Sequence, residues 1–137
     1  EIYTLSLHDA LPICSLLDEA SERLKDGGIL SRLEQNGVLH ALQVLIENAV
    51  GKAKQLLKAS DKQVPLSAYD SFVGLAHLGY ISEVELPSWN AAIGLRNRIV
   101  HDYMNIDMQL VLELVKNRHY QFITGFLVQP ARIDEQA

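Results

Sequence analysis

The segment ALQVLIENAVGKAKQLL, residues 41–57, decides the fold. Extended one turn back, it carries Leu39, Leu42, Ile46, Ala49, Ala53 and Leu56 at spacings of 3, 4, 3, 4 and 3. On a helix of about 3.6 residues per turn, those side chains form one apolar stripe. Such a seam suits a long helix packed at a shallow angle against its neighbours. The expected helix runs from about residue 30 to about 59. Ala49, Gly51 and Ala53 keep it slim, and ordinary core packing accounts for them.

Working outward, SLLDEASERLKD (15–26) reads as an amphipathic helix ended by Gly27-Gly28. On the other side, SDKQVPLS (60–67) is a polar connection in which Pro65 blocks helix continuation. Ser67 can cap a short helix carrying Tyr69, Phe72, Val73, Leu75, Ala76 and Leu78, which Gly79 ends. Ser82 or Ser88 starts the next helix, with Pro87 suited to a first turn. Asp107 then caps a last helix over 108–128, whose stripe is Met108, Val111, Leu112, Val115, Phe122, Ile123 and Phe126. Pro130 and a polar tail follow. No strand pattern or repeat is visible, so the expected architecture is an all-α bundle of four or five helices without a sheet.

The chain has 137 residues, 48% hydrophobic and 21% charged, which fits one globular domain with a sizeable core. Its net charge of −5 argues against nucleic-acid binding by bulk charge, so any RNA contact needs a local patch. No apolar run is long enough to cross a bilayer, and the single cysteine fits a reducing, cytoplasmic compartment. The first thirteen residues, EIYTLSLHDALPI, resemble the in-frame translation of a widely used sequencing adapter. Residues 1–13 are therefore expected to be foreign, the native single domain to begin at residue 14, and its first helix to be truncated. Without Glu1 and Asp9 the remainder holds 15 acidic and 12 basic residues, a net of −3, and the His8-Asp9 pair is set aside.

One stretch breaks the apolar rhythm: GLRNRIVHDYMNID, residues 94–107, gathers two arginines, an asparagine, a histidine, an aspartate and a tyrosine at a helix end. Trp89, Ala92, Arg96, Ile99 and Tyr103 share one helical face by their spacings of 3, 4, 3 and 4. His101 lies about 140° round from Arg96, while Asn97 sits one turn below His101 and can orient its imidazole. Arg98 and Asp102 are four apart and can pair. Taken singly, each of these residues also has a structural reading: Arg96 with its stem on the core, His101 at a helix end, Tyr103 packed. His40 and His77, in apolar helical surroundings, read as packing residues. His119 falls on the last helix's stripe and is either buried or lining a cleft, and Lys116 and Arg118 read as a solvated helix face or the border of an RNA path. The remaining histidines show no helical His-x3-His spacing and there are no cysteine pairs, which argues against zinc, and no phosphate-loop or nucleophile-elbow pattern is present.

GLRNRIVHDY resembles the signature of the HEPN superfamily, and more closely that of HepT-like toxins paired with a minimal nucleotidyltransferase antitoxin. The subfamily pattern is Arg, four residues, His, one residue, Tyr, which Arg96, His101 and Tyr103 fill in register. Asn97 matches the polar residue that commonly follows the arginine. PLSAYDSFVGLAHLGYIS (65–82) and ALQVLIENAVGKAKQLL resemble the family's short helix and its long central helix. The similarity extends from about residue 30 to about 127 and departs at the N-terminus.

The resemblance implies a HEPN-type bundle and metal-independent endoribonuclease activity without a cofactor. RNA brings its own nucleophile, the 2′-hydroxyl, so cleavage needs proton transfer and stabilisation of a phosphorane. His101 is implied as the proton-transfer group, Arg96 as the phosphate binder and Asn97 as its catalytic companion, with Asp102, Arg98 and His119 as accessory residues. Tyr103 is implied as the acceptor of AMP groups from the nucleotidyltransferase, which silences the enzyme. The implied partners are RNA, with tRNA as a candidate class, the antitoxin, and a second copy in a symmetric dimer. Two rival readings are a non-catalytic subunit that presents substrate to, or tethers, a nucleotidyltransferase, and an inactive truncated fragment. His101 divides the first rival from the enzyme.

Overall fold

A computed structural model describes the backbone of residues 2–130 and the side chains of residues 12–130. The His8-Asp9 pair and the polar tail 131–137 lie outside the described side chains. The described residues form six α-helices: α1 (Ile2–Lys25), α2 (Arg32–Ala59), α3 (Ala68–Leu78), α4 (Leu86–His101), α5 (Met108–Lys116) and α6 (Gln121–Val128). No strand occurs among them. No helix among the described residues is long and apolar enough to cross a membrane.

Helix α2 is the axis, packing against α1, α3, α4 and α6. The stripe expected of it is its core face: Leu39, Leu42, Ile46, Ala49, Ala53 and Leu56 are all buried, joined by Val38, Leu45 and Leu57. Its start is fixed by a capping box: the Glu34 N–H donates to Ser31 Oγ at 3.1 Å, and the Ser31 N–H donates to Glu34 Oε1 at 2.8 Å. Arg23, near the end of α1, adds an ion pair to the same carboxylate. Between them the chain turns at Gly27, with φ +82, and at Gly28, where a Cβ would meet Arg23 O at 2.7 Å.

The far end of the bundle is closed by aromatic rings. Phe72 of α3 stacks on Trp89 of α4 at 4.1 Å, and Phe122 and Phe126 of α6 meet the Trp89 ring edge-on at 4.9 and 5.3 Å. Such contacts add about 0.5–1.5 kcal/mol each beyond burial. The Asp70 N–H donates to Ser67 Oγ, so Ser67 caps α3 as expected, and Gly79 ends it at φ +87. Ser82 caps a 3-10 turn, Glu83–Glu85, rather than an α-helix; α4 follows with Pro87 in its first turn and Ser88 already inside.

Four expectations need correcting. Helix α1 begins well before residue 15 and runs through the adapter-like stretch, Pro12 included; Leu5, Leu7, Ala10 and Leu11 are strong helix formers. The single last helix is two, parted at Asn117–Tyr120, where Arg118 takes φ +56. The Asn117 amide donates to Glu113 O, and Arg118 is pinned to α1 by Ser21 Oγ at 3.1 Å, Glu22 at 2.6 Å and Asp18 at 3.4 Å. Arg118 is therefore not a solvated helix face but a bolt that turns the chain. His119 is exposed because the break takes it off the buried stripe, and His40 and His77 are exposed as well.

Lys52 is buried on α2, and its ammonium donates to the carbonyls of Phe126 (2.6 Å), Leu127 (3.2 Å) and Gln129, closing the C-terminus of α6. Burial pushes its pKa from the ordinary 10.5 down to about 8. Between those values the unfolded chain holds the extra proton, so this group makes the fold more stable as pH rises from 8 towards 10.5. Urea melts at pH 7.5 and 9.5, two pH values inside and just below that window, are expected to show this gain, and Lys52→Met is expected to flatten it. An equal pH slope in the variant would refute the assignment. At pH 7.5 the variant is also expected to lose about 1–3 kcal/mol, as those carbonyls lose their partner.

Candidate active site

The polar stretch straddles the end of α4. His101 is the last helical residue, exposed at the helix tip. Asp102 closes the helix with φ −147 and ψ 44, its N–H donating to Arg98 O at 2.8 Å. A 3-10 turn, Tyr103–Asn105, follows, and Asp107 then caps α5 by accepting from the Leu110 N–H. The site therefore combines a rigid helix with a short turn.

Arg96 lies a turn and a half inside α4 and reaches across to α2. Its Nε donates to Glu47 Oε2 at 2.9 Å, Nη2 forms an ion pair with the same oxygen at 2.8 Å, and Nη1 donates to Asn97 Oδ1 at 3.3 Å. Gln43 Nε2 donates to the same Glu47 oxygen at 3.2 Å. The guanidinium, one-third exposed, is thus fixed in orientation while N–H donors on its terminal nitrogens stay available to an anion. Asn97 is exposed and directed to Arg96, not to His101 as its spacing had suggested.

The Tyr103 hydroxyl donates to Asn36 Oδ1, also on α2. Helical spacing had put Arg96 and Tyr103 on one side; α4 ends before Tyr103, yet both reach the same helix. Asn36 and Glu47 are three turns apart on one face of α2, about 16 Å along its axis. The tyrosine is 44% exposed.

The accessory residues divide. Asp102 Oδ1 accepts from Asn105 Nδ2 at 2.7 Å and builds the turn; it does not pair with Arg98. Arg98 and His119 line a separate apolar groove of about 620 Å³ between α4 and α5, floored by Leu42 and Ile46 of α2. Neither joins Arg96 and Tyr103. The residues that sequence reasoning missed are those of α2: Asn36, Gln43 and Glu47. Their spacing of 7 and 4 puts them on one face that flanks the apolar stripe, about 100° round from it, a polar row that was present to be read. Among the described residues no group of three or more His, Cys, Asp or Glu side chains is gathered as a metal site would require.

Residues 11–129 match the family described as Ribonuclease HepT-like. The chain belongs to that family. Among HepT-like relatives, a Shewanella oneidensis protein named "mRNA nuclease HepT" is 28% identical over 88 residues, 64% of this chain and 66% of that protein. The chain thus spans about two thirds of that relative's length. An Archaeoglobus fulgidus protein named "Putative RNase" is 33% identical over 104 residues, 76% of this chain and 74% of that one. In solved structures, the fold recurs in a toxin–antitoxin complex with AMP-PNP, at a TM-score of 0.77 and 21% identity, covering 93% of this chain and 95% of that one. It recurs also in a tri-AMPylated Shewanella oneidensis HEPN toxin bound to an MNT antitoxin, at 0.78 and 20%, covering 100% and 98%. At those identities the structural likeness bears on the all-α HEPN fold alone.

Glu47→Gln tests how Arg96 is held. The pair is over one-third exposed on the carboxylate side, so global stability is expected to change by no more than about 0.5 kcal/mol. The Arg96 Nε–H is expected to exchange faster in the variant than in the parent. Unchanged exchange would mean Glu47 does not fix the guanidinium.

Proposed function

We propose that this HepT-like chain is a metal-independent endoribonuclease, the toxin of a toxin–antitoxin pair, silenced when a cognate nucleotidyltransferase adds AMP to Tyr103. The observation that carries the reading is that the Arg96 guanidinium and the Tyr103 phenol both anchor on one polar face of α2, with exposed His101 between them in the chain.

The chemistry follows from these groups. Arg96, oriented by Glu47, offers its outward N–H donors to the scissile phosphate and to the charge that develops on the phosphorane. His101 sits in solvent at a helix tip, where an RNA backbone can approach it, and imidazole can carry a proton near neutral pH. Asn97 acts on Arg96, holding Nη1 from the side opposite Glu47, and so serves as a positioning residue. An AMP group on Tyr103 brings a negative phosphodiester to the same face of α2, where it competes with RNA for space and for Arg96.

A second copy facing this one across a two-fold axis would double the set of groups around one phosphodiester. Val100, next to His101 on α4, is exposed. The substrate class is RNA; mRNA and tRNA transcripts are both suitable probes. Residues 1–13 remain, in this reading, foreign to the native protein, which genomic sequence upstream of the gene would test.

The purified protein is expected to cut RNA but not the matching DNA in excess EDTA. His101→Ala is expected to abolish cutting and Arg96→Ala to lower it by about 10²–10³-fold. Tyr103→Phe should keep cutting but escape silencing by the nucleotidyltransferase and ATP. A wild-type protein inert on every RNA, yet still binding the transferase, would replace this reading with that of a non-catalytic subunit.

A further inference from the structure

We infer that His40 is a second imidazole of the active site, meeting the RNA and exchanging a proton during cleavage; the inference rests on the ribonuclease reading above. Helix α2 turns a polar row away from the core, Asn36, His40, Gln43 and Glu47, at spacings of 4, 3 and 4. At 100° per residue these positions fall within about 60° of one another. Motif residues engage both ends of the row: the Tyr103 hydroxyl at Asn36 and the Arg96 guanidinium at Glu47. His40 lies between, about 6 Å along the axis from the first contact and about 10 Å from the second. Its side chain is exposed.

The row holds no other group suited to carrying a proton there. Asn36 is engaged by Tyr103, Gln43 is an amide, and Glu47 is occupied by Arg96 and Gln43. An exposed histidine one turn from the partner of the motif tyrosine is the one member of the row that carries an imidazole, a side chain suited to general acid–base catalysis. Nothing in the packing of α2 asks for it: the buried face is complete without it.

Cleavage by the 2′-hydroxyl needs two proton transfers. One imidazole accepts the 2′-hydroxyl proton as the O2′–P bond forms. The P–O5′ bond breaks, and the other imidazole, entering protonated, gives its proton to O5′. The products are a 2′,3′-cyclic phosphate and a 5′-hydroxyl, and the two imidazoles reset by exchange with water. His40 and His101 supply the two transfers, with Arg96 meeting the phosphorane.

The test uses the full chain and a labelled single-stranded RNA in EDTA, comparing wild type, His101→Ala, His40→Ala and His40→Gln. Both His40 variants are expected to melt as the wild type does and to lose about a hundredfold or more in kcat, with KM within about threefold. Free imidazole is expected to restore part of the rate to His40→Ala and none to wild type, an effect a merely structural role would not produce. If His101→Ala is dead while both His40 variants cut within about twofold of wild type, the inference is overturned and the ribonuclease reading stands. A loss confined to KM, or one that imidazole does not relieve, overturns it as well. An inert wild type removes the ribonuclease reading itself.

Discussion

Helix α2 must satisfy opposite demands on its two sides. One side is buried along nearly its whole length, from Val38 to Leu57, and binds α1, α3, α4 and α6 into one body. A flanking face receives one side chain from α4, as an ion pair, and one from the turn that follows it, as a hydrogen bond. Because the helix is continuous and capped at Ser31, the separation of Asn36 and Glu47 is set by backbone geometry rather than by loop conformation. That rigid ruler sets how far apart the Arg96 and Tyr103 anchors can lie, and groups meant for one phosphodiester need such a fixed spacing.

The chemistry sits where a helix stops. Within α4, Ile99, Ala92 and Trp89 are buried and hold the helix onto its neighbours, so Arg96 has a rigid base. Beyond His101 the backbone is no longer helical, and Asp102 and Asn105 stabilise a turn through their own side chains. Polar residues concentrate there because the last carbonyls and the following turn require partners, and exposed side chains at a helix tip meet little steric competition. A protein of net negative charge can still offer an anion one well-placed guanidinium, provided its counter-charge orients it without covering it.

Much of this was legible before any coordinates. The apolar stripe of α2, the Ser67 and Asp107 caps, the stop at Gly79 and the helical setting of Arg96 follow from periodicity and from residues with strong local preferences. The break at Asn117–Tyr120 was not legible, because the apolar positions on either side stay roughly in phase and the turn is held by Arg118 contacts to residues nearly a hundred positions away. The exposure of His40 was misjudged for a related reason. Apolar neighbours in sequence say little about a residue 100° further round the helix. Glu47 and Asn36 were overlooked because a polar row on a helix normally means only solvent, and nothing local tells which row another helix will reach.

The hydrogen bond between Tyr103 and Asn36 has a chemical corollary. The phenol gives its only hydrogen to the amide oxygen. An ester at that oxygen has no hydrogen left to give, so the latch between the turn and α2 and a nucleotide on the tyrosine are mutually exclusive. Esterification would therefore unfasten the turn at residues 103–105 as well as adding bulk, while α4 itself, anchored by Trp89 and Ile99, would stay in place.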